Sequence, residues 1–356
     1  MRPGKWCGLA AVVALTATAC GGGGGERGAG ADGAPPDRAG FPVKVADCKG
    51  TETTFTGPPR KIVTSNAAAL EMLLRLGVGD RVIGTGFPPG KGTLPGDLGA
   101  RAAAVPVLGT AVIPKEKLLG SGADLYIDSF AAMGGMGGAG DAPSEAEFAA
   151  AGIRHVYLAS TACAATAEGP QRDLTGVEGD LTRLGAVTGT AARARALVAG
   201  MRAKVDAVHK ALADVPAGER PRYFFFDFDA GTKQPMALCG KQVANAVITQ
   251  AGARNVFADC DGDFKPVSWE DVVAKNPDWI QLGVRDRGSA AANAEAFDQA
   301  ARFLKTFPAT KDLAAVRNDR FLRIGSEPTT LPGTRTADTV EQIAHTLYPT
   351  RVKAAR

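Results

Sequence analysis

Histidine is scarce in this chain, and the motifs of two common enzyme classes are absent. The 356 residues include three histidines, which lie far apart and within predicted strands or helices: His155, His209 and His345. The sequence lacks Gly-x-Ser-x-Gly, which presents a nucleophilic serine on a tight turn, and His-Glu-x-x-His, which places two zinc ligands on one helix face. These absences argue against a serine hydrolase and a zinc hydrolase.

A strong charge excess and a second long apolar run are also missing. Lysine and arginine total 41, and aspartate and glutamate total 37, which gives a formal net charge of +4. Such a balance gives no signal for nucleic acid or another polyanion as a partner. After residue 20, no stretch reaches the roughly 20 consecutive apolar residues of a transmembrane helix.

The amino terminus has the features of an export signal. Arg2 and Lys5 form a basic head, residues 9–19 are mainly apolar, and Cys20 follows small residues and precedes five glycines. This arrangement is typical of secretory signals, and its end resembles a bacterial lipoprotein cleavage site. The resemblance implies cleavage before Cys20 and lipid attachment to its sulfur, so that the protein works outside the cytoplasm and is held to the cell membrane by lipid alone. The alternative is an ordinary secreted protein with an unpaired cysteine.

Four further cysteines remain besides Cys7 in the signal and the lipidation candidate Cys20. They are Cys48, Cys163, Cys239 and Cys260. An even number of cysteines in an exported chain predicts two disulfides. Residue spacing alone leaves all three pairings open. None of the four shows the close paired spacing of a zinc site, so we predict no metal centre.

Short apolar runs alternate with helical periodicity along most of the sequence. This alternation predicts an α/β fold with mainly parallel sheets. Between the two alternating parts, residues 190–214 contain no proline and one glycine, Gly200, and are rich in helix-forming residues. They predict one long helix of roughly 36 Å. We therefore predict two α/β lobes with mainly parallel sheets, joined by one long α-helix.

These patterns divide the chain into five segments. Residues 20–42 are rich in glycine, alanine, proline and charge and lack the large apolar side chains that form a core, so we predict a flexible tether. The other segments are a signal peptide over 1–19, an N-terminal lobe over 43–187, a connecting helix over 188–214 and a C-terminal lobe over 215–356.

The two lobes share a short sequence pattern. Glu116 opens a predicted helix and Asp124 follows eight residues later, just before a strand; Glu270 and Asp278 repeat this arrangement in the second lobe. Acidic residues are favoured at helix amino termini by the helix dipole, which explains either glutamate by itself. The matched spacing suggests that the two glutamates share a role.

Several motifs spread along the chain carry a resemblance to a known family. They lie at 59–65, 71–84, 251–259, 267–270, 276–278 and 315–321. Together they resemble the substrate-binding proteins of bacterial ABC importers, in the helical-backbone class that carries ferric siderophores, haem or cobalamin. The likeness runs from about residue 43 to residue 349. The scarcity of strand-end histidines argues against the zinc- and manganese-binding relatives.

The resemblance implies a ligand cleft between the lobes and a partner. One surface glutamate on each lobe docks onto arginines of a permease dimer in this family, and Glu116 and Glu270 match those positions. The family also favours a disulfide between a cysteine before the first strand and one after the last strand of the first lobe. This implies the pairs Cys48–Cys163 and Cys239–Cys260.

Ligand contacts are expected on loops that follow the strands facing the cleft. The candidates are Ser65, Asn66, Phe87, Phe130, Phe228, Lys233, Trp269, Arg285, Arg287 and Arg335. Aromatic faces and guanidinium groups suit a bulky, partly anionic ligand such as a ferric chelate. The alternative for Trp269 and Phe228 is a place in the core, and for Arg285 and Arg287 a solvated surface.

Rival functions have little support. A Gly-x-Gly-x-x-Gly pattern within residues 134–140 lacks the βαβ context of a dinucleotide site, so a mobile loop at the cleft rim is the better interpretation. Asp227 and Asp229 at a strand end could be interpreted as paired carboxylates for acid–base chemistry, but no catalytic motif accompanies them. We predict no catalytic residue and no cofactor, and hold an exported enzyme or a structural surface protein as minor alternatives.

The sequence thus predicts a monomeric, extracytoplasmic substrate-binding component of an ABC importer. The leading ligand is a ferric siderophore, with cobalamin, haem or another organic cofactor precursor as the alternative. The partners are this small molecule and the permease dimer, and nucleic acid is excluded.

Overall fold

The structure is a computed structural model that describes residues 40–130 and 142–353. The predicted signal peptide, Cys20, most of the predicted tether and the glycine-rich segment 134–140 lie outside the described residues. No helix in the described ranges is both long enough and apolar enough to cross a bilayer.

The N-terminal lobe is built on a four-stranded parallel sheet in the order β4-β3-β5-β6. An antiparallel hairpin precedes the sheet. The strands are β1 Val43–Ala46, β2 Glu52–Phe55, β3 Ile62–Thr64, β4 Val82–Thr85, β5 Leu125–Asp128 and β6 Arg154–Tyr157. The helices are α1 Ala67–Leu76, α2 Asp97–Ala103, α3 Lys115–Leu119, α4 Glu145–Ala150 and α5 Ala159–Ala162.

Two consecutive helices, α6 Thr175–Thr188 and α7 Ala191–Ala211, follow this lobe. The sharp turn between them uses Gly189, whose φ of 75° lies in the left-handed region that glycine adopts at no steric cost. In α7 the buried residues recur at spacings of three and four, which places them on one face. They are Ala194, Val198, Met201, Val205 and Val208. Helix α7 ends at Ala211, whereas the sequence predicted a helix that continues to residue 214.

The C-terminal lobe repeats the architecture with a four-stranded parallel sheet in the order β12-β11-β7-β9 and an antiparallel pair, β8 with β10. The strands are β7 Arg222–Asp227, β8 Met236–Leu238, β9 Arg254–Asn255, β10 Phe264–Pro266, β11 Trp279–Gly283 and β12 Phe321–Leu322. The helices are α8 Val243–Gln250, α9 Trp269–Lys275, α10 Ala290–Thr306, α11 Ala314–Arg317, α12 Glu327–Thr330 and α13 Arg335–Leu347. The predicted α/β class with parallel sheets is confirmed.

The largest hydrophobic core is continuous through both halves of the chain. It includes Leu70 of α1, Leu181 of α6, Val205 of α7, Val247 of α8 and Ile343 of α13, all buried. A second core fills the space between the C-terminal sheet and α9, α10 and α11. The long helix is therefore the centre of a packed layer that both lobes share.

Both disulfides have the pairing that the family resemblance implied, so this prediction is confirmed. Cys48 in the turn of the first hairpin joins Cys163 at the end of α5. Cys239, directly after β8, joins Cys260 in the loop before β10.

Candidate ligand-binding cleft

The carboxyl ends of the two parallel sheets carry the loops that form the candidate site. In open α/β sheets ligands bind outside these strand ends. Two contacts show that such loops from the two lobes meet. A Cβ atom on Gly90, in the loop after β4, would overlap the carboxylate of Asp286, in the loop after β11. Nη1 of Arg335 donates to the carbonyl oxygen of Thr93 at 3.2 Å. We expect the ligand cleft between these loops.

Ser65 and Asn66 directly follow β3 at the carboxyl edge of the N-terminal sheet. Oγ of Ser65 accepts a hydrogen bond from the backbone N–H of Ser129 at 3.0 Å, which ties the ends of β3 and β5 together. Oδ1 of Asn66 caps α1 by accepting from the backbone N–H of Ala69 at 3.0 Å. Both residues are buried, and Nδ2 of Asn66 has no hydrogen-bond partner among the described residues.

Two of the candidate ligand residues are phenylalanines that pack against each other at this edge of the lobe. The rings of Phe87 and Phe130 pack edge to face with centroids 5.5 Å apart. Phe87 is 38% exposed, one of few large apolar side chains in the described ranges that reach solvent to this degree. An exposed aromatic pair offers a contact surface to a large ligand without losing much side-chain entropy.

The structure corrects the prediction for Trp269. This side chain is only 4% exposed, its Nε1 donates to the carbonyl oxygen of Thr232 at 2.9 Å, and its ring packs against Phe226 and Phe303. It is a core residue at the start of α9, because its indole face and its one donor are both satisfied inside the lobe. Phe228 is partly buried against the same aromatic cluster.

The predicted cations of the C-terminal lobe lie on the loops after β7 and β11. Lys233 is exposed after β7. Arg285 and Arg287 are exposed after β11, but Arg287 forms an ion pair with Asp229. Oδ2 of Asp229 also accepts from the backbone N–H of Arg285 at 2.6 Å. A carboxylate of the same lobe therefore already compensates one of these guanidinium groups.

Three acidic side chains that were not among the predicted ligand residues lie at the carboxyl edge of the C-terminal sheet. Asp227 ends β7, and burial raises the pKa of its carboxyl. Asp286 follows β11, and its backbone N–H donates to Oε1 of Glu327 at 3.1 Å. Burial also raises the pKa of Glu327. The position of Asp286 between two candidate arginines at a strand end was a signal that could have identified it.

Arg335 is held at the junction of the lobes. Its Nε donates to Oε2 of Glu71 at 2.7 Å, and Glu71 is also bound by Arg75 one turn further along α1. Glu71 is almost fully buried. This arrangement gives Arg335 a structural partner and leaves its ligand contact a prediction that the geometry does not favour.

The repeated pattern of the two lobes has a structural counterpart. Asp124 accepts from the backbone N–H groups of Arg60 and Lys61 at 2.8 and 3.0 Å, just before β3. Asp278 accepts from the backbone N–H of Arg222 at 2.8 Å, at the start of β7. Each aspartate thus ties the start of its strand to the parallel neighbour. Glu116 on α3 and Glu270 on α9 are exposed in the first turns of their helices.

The described residues bring together no group of three or more histidine, cysteine, aspartate or glutamate side chains that could hold a metal ion.

Known proteins share this fold over most of the chain. The structure of a periplasmic binding protein from Veillonella parvula superposes with a TM-score of 0.71 at 26% identity and covers 87% of this chain and 98% of that one. An ABC-type Fe³⁺-hydroxamate transport system structure from Saccharomonospora viridis gives 0.68 at 25% identity, covering 86% and 99%. A periplasmic heme-binding protein from Roseiflexus, at 21% identity and a TM-score of 0.58, shares the fold.

One relative with a similar sequence is named for the ligand that it binds. The cobalamin-binding protein of Halobacterium salinarum is 27% identical over 272 residues, which cover 73% of this chain. The match spans 64% of that relative's own length.

The family is shown by a match to a family model. The model of the periplasmic binding protein family matches residues 62–328, well over half of the chain. Proteins of this family are extracytoplasmic, bind ligands for transport rather than transform them, and carry no cofactor. Together with the two α/β lobes, this match shows that the chain belongs to the periplasmic binding protein family.

Proposed function

We propose that this protein is the extracytoplasmic substrate-binding component of an ABC importer and that it binds a ferric siderophore. The observation that carries the proposal is the cleft between the carboxyl ends of two parallel sheets, with the Phe87–Phe130 pair on one side and charged loops on the other. Such a site suits a bulky ligand with an apolar surface and a few polar groups. The similarity to the Fe³⁺-hydroxamate transport structure supports this ligand class.

Cobalamin is the second candidate, and the similarity to a cobalamin-binding protein favours it. Haem or another organic cofactor precursor would occupy the same cleft. These ligands share a large, flat or rounded apolar surface, so shape alone does not separate them.

Ligand binding tests the proposal directly. Outside the predicted signal, Trp269 and Trp279 are the tryptophans, and both belong to the C-terminal lobe. Their fluorescence should be quenched saturably by a ferric siderophore, with weaker or no response to cobalamin and haem. Saturable quenching by cobalamin but by no ferric chelate would show that the ligand is cobalamin and not a siderophore. Absence of binding to every member of the panel would contradict the proposal.

Delivery to the permease is the second part of the proposal. Glu116 and Glu270 present free carboxylates on opposite lobes, and Val273 lies one turn after Glu270 with its side chain 39% exposed. Carboxylate pairing to arginine gives directional contacts, and two matched sites fit a permease with twofold symmetry. A lipid on Cys20 would keep the protein close to that permease.

A further inference from the structure

The segment 86–93, which we call the bridge segment, runs from the N-terminal lobe to the C-terminal lobe. It begins directly after β4 and contains Phe87, an exposed candidate ligand residue. Its other end contacts Asp286 in the loop after β11, and Arg335 at the start of α13. The segment therefore connects a candidate ligand residue of one lobe to the surface of the other lobe.

The backbone of Phe87 has an unusual conformation. Its φ of 33° lies in the left-handed region, which a bulky side chain adopts only at a cost in stability. Two backbone hydrogen bonds hold it there: its N–H donates to the carbonyl oxygen of Ala111 at 3.2 Å, and its carbonyl oxygen accepts from the N–H of Ala67, the first residue of α1, at 3.0 Å. Strained residues of this kind cluster at sites that hold ligands. The strain at an exposed aromatic residue therefore indicates a functional role for the ring.

The bridge segment is stiff between Phe87 and the C-terminal lobe. Pro88 and Pro89 follow Phe87 directly, and each has a φ fixed by its ring. Residues 90–93 then form a tight turn, in which the N–H and Oγ1 of Thr93 both donate to the carbonyl oxygen of Gly90, at 3.2 and 2.8 Å. A displacement of this turn should therefore be transmitted to Phe87.

The turn fits against the C-terminal lobe without space for a further atom. A Cβ atom on Gly90 would overlap the carboxylate of Asp286. That carboxylate is fixed, because its Oδ1 accepts from Nδ2 of Asn293 at 2.8 Å and the backbone N–H of Asp286 donates to Oε1 of Glu327 at 3.1 Å. The φ of Gly90 lies outside the left-handed region, so the backbone would accept an alanine and only the contact with Asp286 excludes it.

We infer that Gly90 is a positioning residue for ligand binding. By fitting against Asp286 it fixes, through the bridge segment, the place of the Phe87 ring at the expected ligand cleft. Phe87 would contact the ligand, whereas Gly90 acts through Phe87. The inference rests on the proposed function, because the ring would meet the ligand of that cleft.

A double-mutant cycle between Gly90 and Phe87 tests the inference. The probes are a ferric tris-hydroxamate and, in parallel, cobalamin, and calorimetric titration measures the affinity of each. Gly90→Ala and Phe87→Ala should each weaken binding by about three- to tenfold. In the Phe87→Ala protein, the further change Gly90→Ala should alter the affinity by less than about twofold, because the ring that Gly90 positions is already gone. Additive effects of the two changes would overturn the positioning role.

A second variant tests the contact with Asp286. The double change Gly90→Ala with Asp286→Ala should recover most of the affinity that Gly90→Ala loses, because it removes the overlapping carboxylate. Gly218→Ala is the matched control, since Gly218 is a loop glycine with an ordinary φ and open space around its Cα atom, and it should leave the affinity unchanged. Affinity in the double variant as weak as in Gly90→Ala would show that the fit against Asp286 is not the cause.

Hydrogen exchange gives a readout that needs no ligand. Exchange at the backbone N–H of Phe87 should be faster in the Gly90→Ala protein and unchanged in the Gly218→Ala protein. If a probe binds but exchange at Phe87 is unchanged in Gly90→Ala, the inference fails while the proposed function stands. If neither probe binds the unaltered protein, the proposed function fails, and faster exchange at Phe87 would still support the coupling of Gly90 to Phe87.

Discussion

Nε of Arg335 donates to Oε2 of Glu71 at 2.7 Å, and this ion pair joins the first helix of the N-terminal lobe to the last helix of the chain. Glu71 is 3% exposed and is bound on its other oxygen by Arg75. A buried carboxylate needs such partners, because the loss of its hydration is otherwise uncompensated. The pair therefore holds the two lobes in a common layer.

Replacing Arg335 should cost stability rather than ligand affinity. We expect Arg335→Met to lower the free energy of unfolding by about 1–3 kcal/mol, because Glu71 stays buried with one partner fewer. Urea unfolding measures this change. Arg302→Met, which breaks the exposed pair with Glu295, is the control and should cost less than about 1 kcal/mol. Unchanged stability with a large loss of ligand affinity would restore Arg335 as a ligand residue.

The side-chain amide of Gln171 ties the lobes at a second place. Its Nε2 donates to the carbonyl oxygens of Ser160 at 2.7 Å and Lys241 at 2.6 Å, and its backbone N–H donates to Gly240 at 2.8 Å. Each anchor is next to a disulfide: Cys163 follows the first, and Cys239 precedes the second. The segment around Gln171 therefore links the two lobes through hydrogen bonds.

Removing this amide should weaken the link between the two lobes. We expect Gln171→Ala to lower the free energy of unfolding by about 1–3 kcal/mol, because two carbonyl groups lose their donor. Hydrogen exchange should quicken at Asn245, whose side chain donates to the carbonyl oxygen of Gln171 at 2.8 Å. Gln299→Ala, on the exposed face of α10, is the control. Hydrogen exchange at Asn245 as slow as in the unaltered protein would show that the Gln171 side chain does not link the lobes.

The proposed docking glutamates should affect transport without affecting ligand binding. The double change Glu116→Ala with Glu270→Ala should leave the ligand affinity within a few-fold and reduce uptake severely, because each loses a charge-assisted contact to the permease. Each single change should reduce uptake to a level between those of the unaltered protein and the double variant. Glu295→Ala provides an exposed control outside the docking surface. Normal uptake, or an affinity that collapses together with uptake, would show that the two glutamates only stabilise their helices.

The proposed lipid anchor depends on one atom, the sulfur of Cys20. We expect Cys20→Ala to release the protein into the medium, because a single cysteine carries the acyl chains that hold it to the membrane. Cys7→Ala, within the same predicted signal, is the control and should leave the protein in the membrane fraction. Retention of the Cys20→Ala protein in that fraction would refute lipid attachment at this residue.

Glu147 should make a measurable contribution to acid sensitivity. Hydrogen bonds from Lys115 and then from the backbone and hydroxyl of Ser144 lower its pKa from 4.5 to about 2. Because the folded-state pKa is the lower one, the stabilisation is complete above pH 4.5 and is lost as the pH falls towards about 2. In the Glu147→Gln variant the melting temperature should fall less with decreasing pH across this window than in the unaltered protein. The exposed control Glu219→Gln should keep the pH dependence of the unaltered protein. Equal acid sensitivity of both variants would contradict this account.

Local patterns in the sequence were enough to predict the principal strands and the long helix. The strands at 62–64, 125–128 and 279–283 are buried apolar runs before loops, and α7 lacks proline, so their conformations follow from neighbouring residues alone. The strands β8 and β10 were not predicted, because each has only three residues, too few to show a period, and the two are stabilised by pairing with each other.

The ligand-facing details depended on contacts between residues distant in sequence. An aromatic residue at the start of a helix, such as Trp269, has the same local sequence whether it faces a core or a cleft, and the packing of Phe226 and Phe303 decided for the core. The charge of the cleft edge was likewise decided by pairing, since Arg287 and Asp229 are 58 residues apart.

The α/β class and the elements that carry the cleft loops could be predicted from periodicity and from residues close together in the chain, and short motifs carried the family resemblance. The tertiary structure alone decided which side chains are free to meet a ligand. Burial and ion pairing are properties of neighbours in space, and Arg335 with Glu71, 264 positions away, shows how far apart such neighbours lie in the sequence.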